Sequence, residues 1–234
     1  MIDKIKAVLF DLDGVLVDSE VVKHLTIKDF IAEKGYDIDH RLFFALIGSH
    51  STLNTWDEIF DKIDEKIVDQ ITFRKGFEQY SKTIITNIDF GKYRMPYILE
   101  TLEMLKKQGV KLACASSSSI EYIHRLLDQC QIKDYFDLIV SGDDFTLSKP
   151  DPEIYLHCAT ELEVIPEQCL VIEDSPFGIQ AGKAAGMPVV AIKEHYFGLD
   201  QSQADIMIDS FEELIEMFQD NEDALSLNFV KQSI

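Results

Sequence analysis

Short apolar runs that stop abruptly at polar side chains are the feature that most constrains how this chain folds. The first run, 7–10, is followed by Asp11, and later runs lead into a stretch of serines, into Glu173 and Asp174, and into Lys193. An apolar run without polar alternation is typical of a strand that is buried on both faces of a parallel sheet. The predicted strands cover 7–10, 111–115, 138–140, 169–172 and 188–192.

Helical patterns separate most of these predicted strands. They carry apolar residues at helical spacing, and several begin near a proline or end at a glycine. Strands that alternate with helices predict an α/β fold with a doubly wound, Rossmann-like parallel sheet. The predicted helices cover 96–108, 152–162, 175–185 and 211–218, whereas 221–234 gives no clear signal.

The stretch from about 18 to 88 breaks this alternation, because it carries helical patterns without a strand between them. The patterns cover 19–34, 41–47, 52–62 and 65–83. Helices inserted between the first two strands predict a separate helical cap domain over 18–88, joined to an α/β core of 1–17 and 89–234. The hydrophobic core of the cap is predicted to contain Trp56, Ile59, Phe60 and Ile63.

The chain is strongly acidic, with 42 acidic against 22 basic side chains and a formal net charge of -20. Such a field repels nucleic acids and anionic membranes, and no basic stripe opposes it, so we expect neither as a partner. A phosphorylated substrate would also be repelled. A site for such a substrate therefore needs local positive charge, which a metal ion and a well-placed lysine would supply.

The cysteines and the length of the apolar runs indicate a cytoplasmic protein. The four cysteines show no C-x-x-C spacing, which favours reduced and mostly buried thiols over a metal site or a disulfide framework. No apolar run approaches the length of a signal peptide or a membrane span. The composition is compatible with a monomer.

The carboxyl ends of the predicted strands collect the polar side chains that are able to carry chemistry. Ligands bind at this edge of an open α/β sheet, and a loop between two of the strands brings a lysine to the same place. The side chains expected to converge there are Asp11, Asp13, Ser116, Lys149, Glu173 and Asp174.

Carboxylates crowded near a core repel one another, and a hard divalent cation relieves that repulsion. Mg²⁺ prefers oxygen ligands and usually keeps several waters beside one or two carboxylates. Asp11 and Asp174 are the predicted carboxylate ligands, with a backbone carbonyl near Asp13 as another. Glu173 is expected either to bind the ion through water or to support its ligands. The sequence therefore predicts a magnesium site formed by Asp11, Asp13, Glu173 and Asp174.

The same edge suits phosphoryl transfer. Asp11 can attack phosphorus and form an aspartyl-phosphate. Asp13 can protonate the leaving group and then deprotonate the water or sugar hydroxyl that attacks next. Ser116 and the backbone N–H groups around Ser117 can donate to phosphoryl oxygens, beside which Lys149 adds a compact positive charge.

Four segments resemble the motifs of one known family. They are Asp11-Leu12-Asp13-Gly14-Val15-Leu16-Val17-Asp18-Ser19, Ala115-Ser116-Ser117, Ser148-Lys149-Pro150-Asp151-Pro152 and Ile172-Glu173-Asp174-Ser175. In this order, over roughly 5–192, they resemble the haloacid dehalogenase superfamily, and in particular its β-phosphoglucomutase-like group of small-sugar-phosphate phosphatases and mutases. The resemblance implies an aspartyl-phosphate mechanism with Mg²⁺ and a four-helix cap over the site.

Two cap positions differ from the pattern of the family's mutases. Where those mutases carry a histidine shortly after the first motif, this chain has Lys23, followed by His24. Where they carry an arginine in a cap loop, this chain reads Gly48-Ser49-His50-Ser51. His50 or Lys75 could replace the arginine, so Lys23, His50 and Lys75 are the candidate specificity residues. The missing arginine favours a phosphatase over a mutase.

The expected function is Mg²⁺-dependent hydrolysis of a small sugar phosphate, and three alternatives stay open. A mutase of the β-phosphoglucomutase type would move the phosphoryl group within one sugar. Dehalogenation needs neither Mg²⁺ nor the second aspartate, so Asp13 and Asp174 count against it. A non-catalytic sensor of a phosphorylated ligand would be supported by the loss of a site residue, yet Asp11 and Lys149 are present as well.

Overall fold

The computed structural model describes residues 5–46, 53–63, 69–195 and 197–219. The chain forms two compact units. The α/β unit combines the chain up to Val17 with the chain from Phe90 onward, and the helical unit is Asp18–Asp89. The helical unit is therefore an insertion in the chain of the α/β unit.

A six-stranded sheet forms the centre of the α/β unit. Its strands are β1 (Ala7–Phe10), β2 (Lys111–Ser116), β3 (Leu138–Ser141), β4 (Cys169–Glu173), β5 (Val189–Ile192) and β6 (Ile206–Ile208). All neighbouring strands are parallel, in the order β3-β2-β1-β4-β5-β6. The strand order reverses between β1 and β4, which is where a doubly wound sheet opens its ligand-binding crevice. The predicted α/β fold with a doubly wound parallel sheet is confirmed.

The helices divide between the two units. The helical unit contains α1 (Ser19–Lys34), α2 (Leu53–Phe60) and α3 (Gln70–Asn87), and the α/β unit contains α4 (Ile98–Lys107), α5 (Ile120–Gln129), α6 (Glu153–Glu161), α7 (Pro176–Ala184) and α8 (Phe211–Gln219). Most of the α/β helices fill a connection between two parallel strands, since such strands need a crossover.

Every residue of β1 is buried, which shows that both faces of the sheet are covered there. Ala7 and Leu9 lie in a hydrophobic cluster that also contains Tyr155 of α6. Phe10 points to the opposite face, since side chains alternate along a strand. There its ring contacts the ring of Phe211, on α8. Burial on both sides explains why β1 reads as an uninterrupted apolar run.

Two helices in the helical unit differ from their predictions, one in its bounds and one in its type. The helix predicted over 65–83 is observed as Gln70–Asn87. It begins at Gln70 because the side chain of Asp69 accepts from the N–H groups of Ile71 and Thr72 and so caps the helix. Residues 65–68 of that prediction lie outside the described residues. The helix predicted over 41–47 is a 3₁₀-helix, His40–Leu46.

Two features of the α/β unit also differ from the sequence prediction. The helix predicted over 96–108 begins at Ile98, because Tyr97 has a left-handed backbone with a φ of 60°. The strand β6 was not predicted. Its sequence, Ile206-Met207-Ile208, is apolar, but the run has only three residues and stands between Asp205 and Asp209, so it was not recognised as a strand.

Aromatic side chains form the interior of the helical unit. Phe73 is fully buried and its ring contacts the rings of Phe30, Phe43 and Phe60. Trp56 stacks on Phe60. All four residues predicted for this core belong to the cluster: Trp56, Ile59, Phe60 and Ile63.

The remaining predictions about the whole chain concern its cysteines and membranes. Cys114, Cys130, Cys158 and Cys169 are all free thiols and all buried, as predicted. Among the described residues, the helices are too short or too polar to cross a bilayer.

Candidate active site

A tight loop after β1 shapes one side of the site. The N–H of Gly14 donates to the carbonyl of Val17 at 2.8 Å, and the N–H of Val17 donates to the carbonyl of Leu12 at 3.0 Å. Gly14 has a φ of +80°, and a Cβ placed on it would lie 2.0 Å from Oδ2 of Asp174. Only glycine therefore lets the loop pass against Asp174.

Three buried carboxylates meet where β1 and β4 end. Phe10 lies opposite Ile172, and the N–H of Asp11 donates to the carbonyl of Ile172 at 3.0 Å. This register places Asp11 beside the acidic pair that follows β4. Carboxylate oxygens of Asp11, Glu173 and Asp174 all lie within 4.8 Å of one another. The predicted convergence of these residues at one edge of the sheet is therefore present in the structure.

Lys149 is the positive charge at the centre of this cluster. Its Nζ donates to Oδ1 of Asp11 at 2.5 Å, to Oε1 of Glu173 at 2.7 Å and to the carbonyl of Ala115 at 3.1 Å. Only 6% of the side chain is exposed. Burial alone would lower the pKa of Lys149, but the adjacent charges of Asp11 and Glu173 raise it well above its usual value. The lysine is therefore held in its charged form.

Glu173 is held by protein donors on both of its oxygens. Oε1 accepts from Lys149 and from the hydroxyl of Tyr155, at 2.7 and 2.8 Å. Oε2 accepts from the N–H groups of Asp174 and Ser175 and from the Ser175 hydroxyl. These donors outweigh the effect of burial, and the pKa of Glu173 is lowered. This geometry favours the supporting role over direct coordination of a cation.

The clustered carboxylate oxygens fit a divalent cation. Three buried carboxylates lie close together, and Lys149 binds Asp11 and Glu173 among them. Burial raises the pKa of Asp11 to about 7; Lys149 opposes this rise, and the charges of Glu173 and Asp13 add to it. A cation among these oxygens would favour the ionised form of Asp11. Asp11 and Asp174 are the residues best placed to hold it, because both oxygens of Glu173 already accept several hydrogen bonds from the protein.

Asp13 lies in a different environment from the buried carboxylates. Its Oδ2 accepts from the hydroxyl of Ser118 at 3.0 Å and its Oδ1 from the hydroxyl of Tyr122 at 3.3 Å. The Asp13 carboxylate is not part of the cluster formed by Asp11, Glu173 and Asp174. Its predicted part in metal binding rests on its backbone carbonyl and stays a prediction.

The end of β2 and the loop after it bring serine hydroxyl groups to the site. Ser116 is buried, and its Oγ accepts from the N–H of Ser118 at 3.1 Å. Ser117 is half-buried in the loop that leads into α5. A Cβ on Gly142 would lie 2.9 Å from the Cα of Ser117, so the loop after β3 packs closely against this turn. The predicted phosphate-binding roles of Ser116 and Ser117 stay predictions.

The predicted specificity residues belong to the helical unit. Nζ of Lys23 donates to Glu20 at 2.8 Å. Lys23 also lines a cavity of about 470 Å³ inside this unit, together with His24, Phe43, Trp56 and neighbouring side chains. Lys75 is exposed and is not among the residues that line the cavity. His50 lies outside the described residues.

Several side chains that shape the site were not predicted. Tyr155 and Ser175 hold Glu173, and Ser118 and Tyr122 hold Asp13. Gln201 donates to the carbonyl of Asp174 at 2.6 Å. Ser118, Tyr155 and Ser175 stand within or close to the recognised motifs, which was the available signal, but which oxygen each one contacts depends on tertiary structure.

Comparison with known proteins places these residues in a family context. A profile of the haloacid dehalogenase-like hydrolases matches residues 8–192. A phosphorylated carbohydrates phosphatase of Thermotoga maritima is 31% identical over 187 residues, which cover 78% of this chain and 82% of that protein. A phosphoglycolate phosphatase of Salmonella choleraesuis is 30% identical over 236 residues, with 92% of each chain covered.

Solved structures show the same relationship. A HAD family hydrolase of Deinococcus radiodurans, crystallised with phosphate and sodium, matches with a TM-score of 0.76 at 26% identity, covering 94% of this chain and 96% of that one. The β-phosphoglucomutase of Clostridium difficile matches with a TM-score of 0.69 at 27% identity, covering 92% and 98%. Since the family profile matches residues 8–192, a range that spans all four motifs at the sheet edge, this chain is an enzyme of the haloacid dehalogenase-like hydrolases, within their β-phosphoglucomutase-like group.

Proposed function

We propose that this enzyme hydrolyses a small phosphomonoester, with a sugar phosphate as its substrate, through a phosphorylated Asp11. The observation that carries the proposal is the position of Lys149, whose ammonium is bound to Asp11 and Glu173 at the edge of the sheet. An anionic phosphoryl group needs such a charge beside its nucleophile, above all in a protein with a net charge of -20.

The reaction divides into two displacements at phosphorus. In the first, a carboxylate oxygen of Asp11 forms a bond to phosphorus while the bond to the substrate's ester oxygen breaks, and Asp13 gives that oxygen its proton. In the second, Asp13 takes a proton from water as the water oxygen attacks phosphorus. Inorganic phosphate leaves and the Asp11 carboxylate is restored.

The two aspartates are suited to these different tasks by their surroundings. Asp11 is buried beside Lys149 and has no need to exchange protons with the substrate. Asp13 is half-buried, and Ser118 and Tyr122 orient its carboxylate. Such a group can reach a leaving oxygen and still exchange its proton with water.

Mg²⁺ bound by Asp11 and Asp174 would neutralise phosphoryl charge and fix the orientation of the Asp11 carboxylate. Glu173 supports this arrangement through its contact with Lys149 and the N–H of Asp174. Ser116 and the N–H groups near Ser117 would bind the remaining phosphoryl oxygens.

The substrate class rests on the relatives and on the helical unit. Relatives at about 30% identity are named as phosphatases of phosphorylated carbohydrates and of phosphoglycolate, both small phosphorylated metabolites. We infer that the helical unit, 18–88 by its sequence pattern, serves as the cap and that Lys23 and Lys75 take part in choosing the substrate. His50 belongs to the same proposal.

A mutase is the second candidate, favoured by the TM-score of 0.69 with a β-phosphoglucomutase. The test is conversion of β-glucose 1-phosphate to glucose 6-phosphate in the presence of a bisphosphate activator. Formation of glucose 6-phosphate faster than free phosphate would establish the mutase. Release of free phosphate alone would exclude it for this sugar.

The experiment for the proposed function is phosphate release from a panel of sugar phosphates, phosphoglycolate and nucleoside monophosphates. Wild type is assayed with Mg²⁺ and with EDTA, beside Asp11→Asn and the surface control Asp134→Asn. We expect Mg²⁺-dependent release that Asp134→Asn retains and Asp11→Asn loses. Release that survives in pure Asp11→Asn protein would refute the proposal.

A further inference from the structure

Tyr155 joins the hydrophobic interior of the α/β unit to the polar site. It lies on α6, is fully buried, and belongs to the same apolar cluster as Leu9 and Val171. Burying a hydroxyl costs free energy unless it finds a partner, and here the hydroxyl donates to Oε1 of Glu173 at 2.8 Å. A phenylalanine would fill the same space without needing a partner, so packing alone does not account for the hydroxyl.

The oxygen that Tyr155 contacts is also bound by the central lysine. Nζ of Lys149 donates to Oε1 of Glu173 at 2.7 Å and to Oδ1 of Asp11 at 2.5 Å, so two carboxylates share one ammonium. The same Nζ lies over the ring of Tyr155, 4.9 Å from its centre. Tyr155 therefore contacts both partners of the Lys149–Glu173 pair, one through its hydroxyl and one through its ring.

We propose that Tyr155 is a positioning residue for phosphoryl transfer, which keeps the Lys149 ammonium shared between Glu173 and Asp11. The inference rests on the proposed function. The hydroxyl supplies part of the hydrogen bonding that the Glu173 carboxylate requires. Without it, the ammonium is drawn toward Glu173 and away from Asp11, where the phosphoryl group is transferred.

The first test is Tyr155→Phe, which keeps the ring and removes the hydroxyl. We expect kcat to fall about tenfold, as for the loss of a hydrogen bond to a buried charged group, while KM changes less than twofold. The matched control is Tyr135→Phe, which removes a surface hydroxyl that donates to Glu103 at 3.4 Å. That variant should keep wild-type kcat. A kcat for Tyr155→Phe within twofold of wild type overturns the proposal.

A second test separates positioning from a general effect on the fold. If Tyr155 acts through Lys149, then Tyr155→Phe loses its effect once the lysine is gone, and Tyr155→Phe combined with Lys149→Ala equals Lys149→Ala within twofold in single-turnover rate. A double variant whose rate loss equals the product of the two single losses would overturn the proposal. So would a fall in kcat for Tyr155→Phe that is fully explained by a smaller folded fraction, measured by thermal unfolding at the assay temperature.

The same assays distinguish failure of this inference from failure of the proposed function. If wild-type enzyme and Tyr155→Phe release phosphate at the same rate, the proposed hydrolysis stands and only the role of Tyr155 is refuted. Wild-type enzyme that releases no phosphate from the substrate panel contradicts the proposed function itself, and the role of Tyr155 is then refuted together with it.

Discussion

The α/β unit buries a cluster of charged side chains at the edge of its sheet, beside an apolar core, whereas aromatic rings dominate the interior of the helical unit. In the α/β unit, the side chains of Asp11, Lys149 and Glu173 are withdrawn from solvent and linked by hydrogen bonds of 2.5 and 2.7 Å. In the helical unit, aromatic rings fill the interior, with Phe73 in contact with several of them. Buried charge is costly unless paired, whereas buried rings are favourable by themselves.

This contrast indicates which unit each kind of substitution should affect. A change in the charged cluster should remove activity through geometry and electrostatics, and a change among the rings should remove stability through lost packing. Three pairs of variants set a residue of one unit against a control of similar chemistry in different surroundings, and a fourth test compares one exposed carboxylate at two pH values. They are ordered from the largest expected effect to the smallest.

Lys149→Ala should have the largest effect, because it leaves Asp11 and Glu173 buried without their countercharge. We expect a loss of about a thousandfold in kcat/KM and of about 3–5 kcal/mol in the free energy of unfolding. The control is Lys183→Ala, which breaks a Lys–Asp pair of equal length, 2.5 Å, at a partly exposed site. The control should cost no more than about 1 kcal/mol. Equal losses of stability in the two variants would contradict this account of the buried pair.

Phe73→Ala tests the aromatic interior of the helical unit. The side chain is fully buried, so we expect a loss of about 3–5 kcal/mol in the free energy of unfolding. Fluorescence of Trp56, the single tryptophan of the chain, follows this unit during denaturation. The control is Ile71→Ala on the same helix, whose side chain is 67% exposed and whose loss should be within about 0.5 kcal/mol. A midpoint for Phe73→Ala no lower than that of the control would refute the prediction.

Gly14→Ala and Gly35→Ala compare the two units at the same backbone conformation. Both glycines have positive φ, but an added Cβ lies 2.0 Å from Asp174 at Gly14 and meets nothing within 4 Å at Gly35. Gly14→Ala should lower kcat/KM by about a hundredfold through displacement of the Asp174 carboxylate. Gly35→Ala should keep its kcat/KM and lose about 1–2 kcal/mol of stability. Full activity in Gly14→Ala would show that the close approach is not needed.

Asp137→Asn should have the smallest effect, on the free energy of unfolding. The Asp137 carboxylate accepts from Lys106 and from the N–H of Leu112, and these donors outweigh burial and lower its pKa. Because the folded-state pKa lies below the unfolded value, the stability that the Asp137 carboxylate adds is present above about pH 4 and is lost as the pH falls through the folded-state pKa. The carboxyl is partly exposed, so we expect Asp137→Asn to cost less than about 1 kcal/mol at pH 7 and nothing at the acid limit, measured by urea denaturation. A cost that does not change with pH would contradict this explanation.

The sheet and the acidic edge of the site could be predicted from sequence because their signals are local. Each buried strand reads as an apolar run, and Asp11, Glu173 and Asp174 come directly after two of those runs. The strand β6 was missed because its apolar run has only three residues and stands between two aspartates. The start of α3 was misplaced because the cap at Asp69 is a single hydrogen-bonding side chain within a polar stretch.

The contacts around the site could not be predicted because they join distant positions. Tyr155 is separated by 18 residues from Glu173, and Ser118 by 105 residues from Asp13. A buried tyrosine in an apolar helix pattern indicates core packing, and nothing local reveals where its hydroxyl points. The proposed specificity residues present the same difficulty, since the sequence around Lys23 and Lys75 carries no signature of the molecule that they would bind.

The most direct test of the central claim is to look for the phosphoryl group on Asp11. Wild-type enzyme is mixed with its best substrate and Mg²⁺, quenched in acid during the first turnover, and digested for mass spectrometry. We predict the mass of one phosphoryl group on the peptide that contains Asp11, and its absence in Asp11→Asn. A phosphoryl group on another residue, or turnover that continues in Asp11→Asn, would contradict the mechanism.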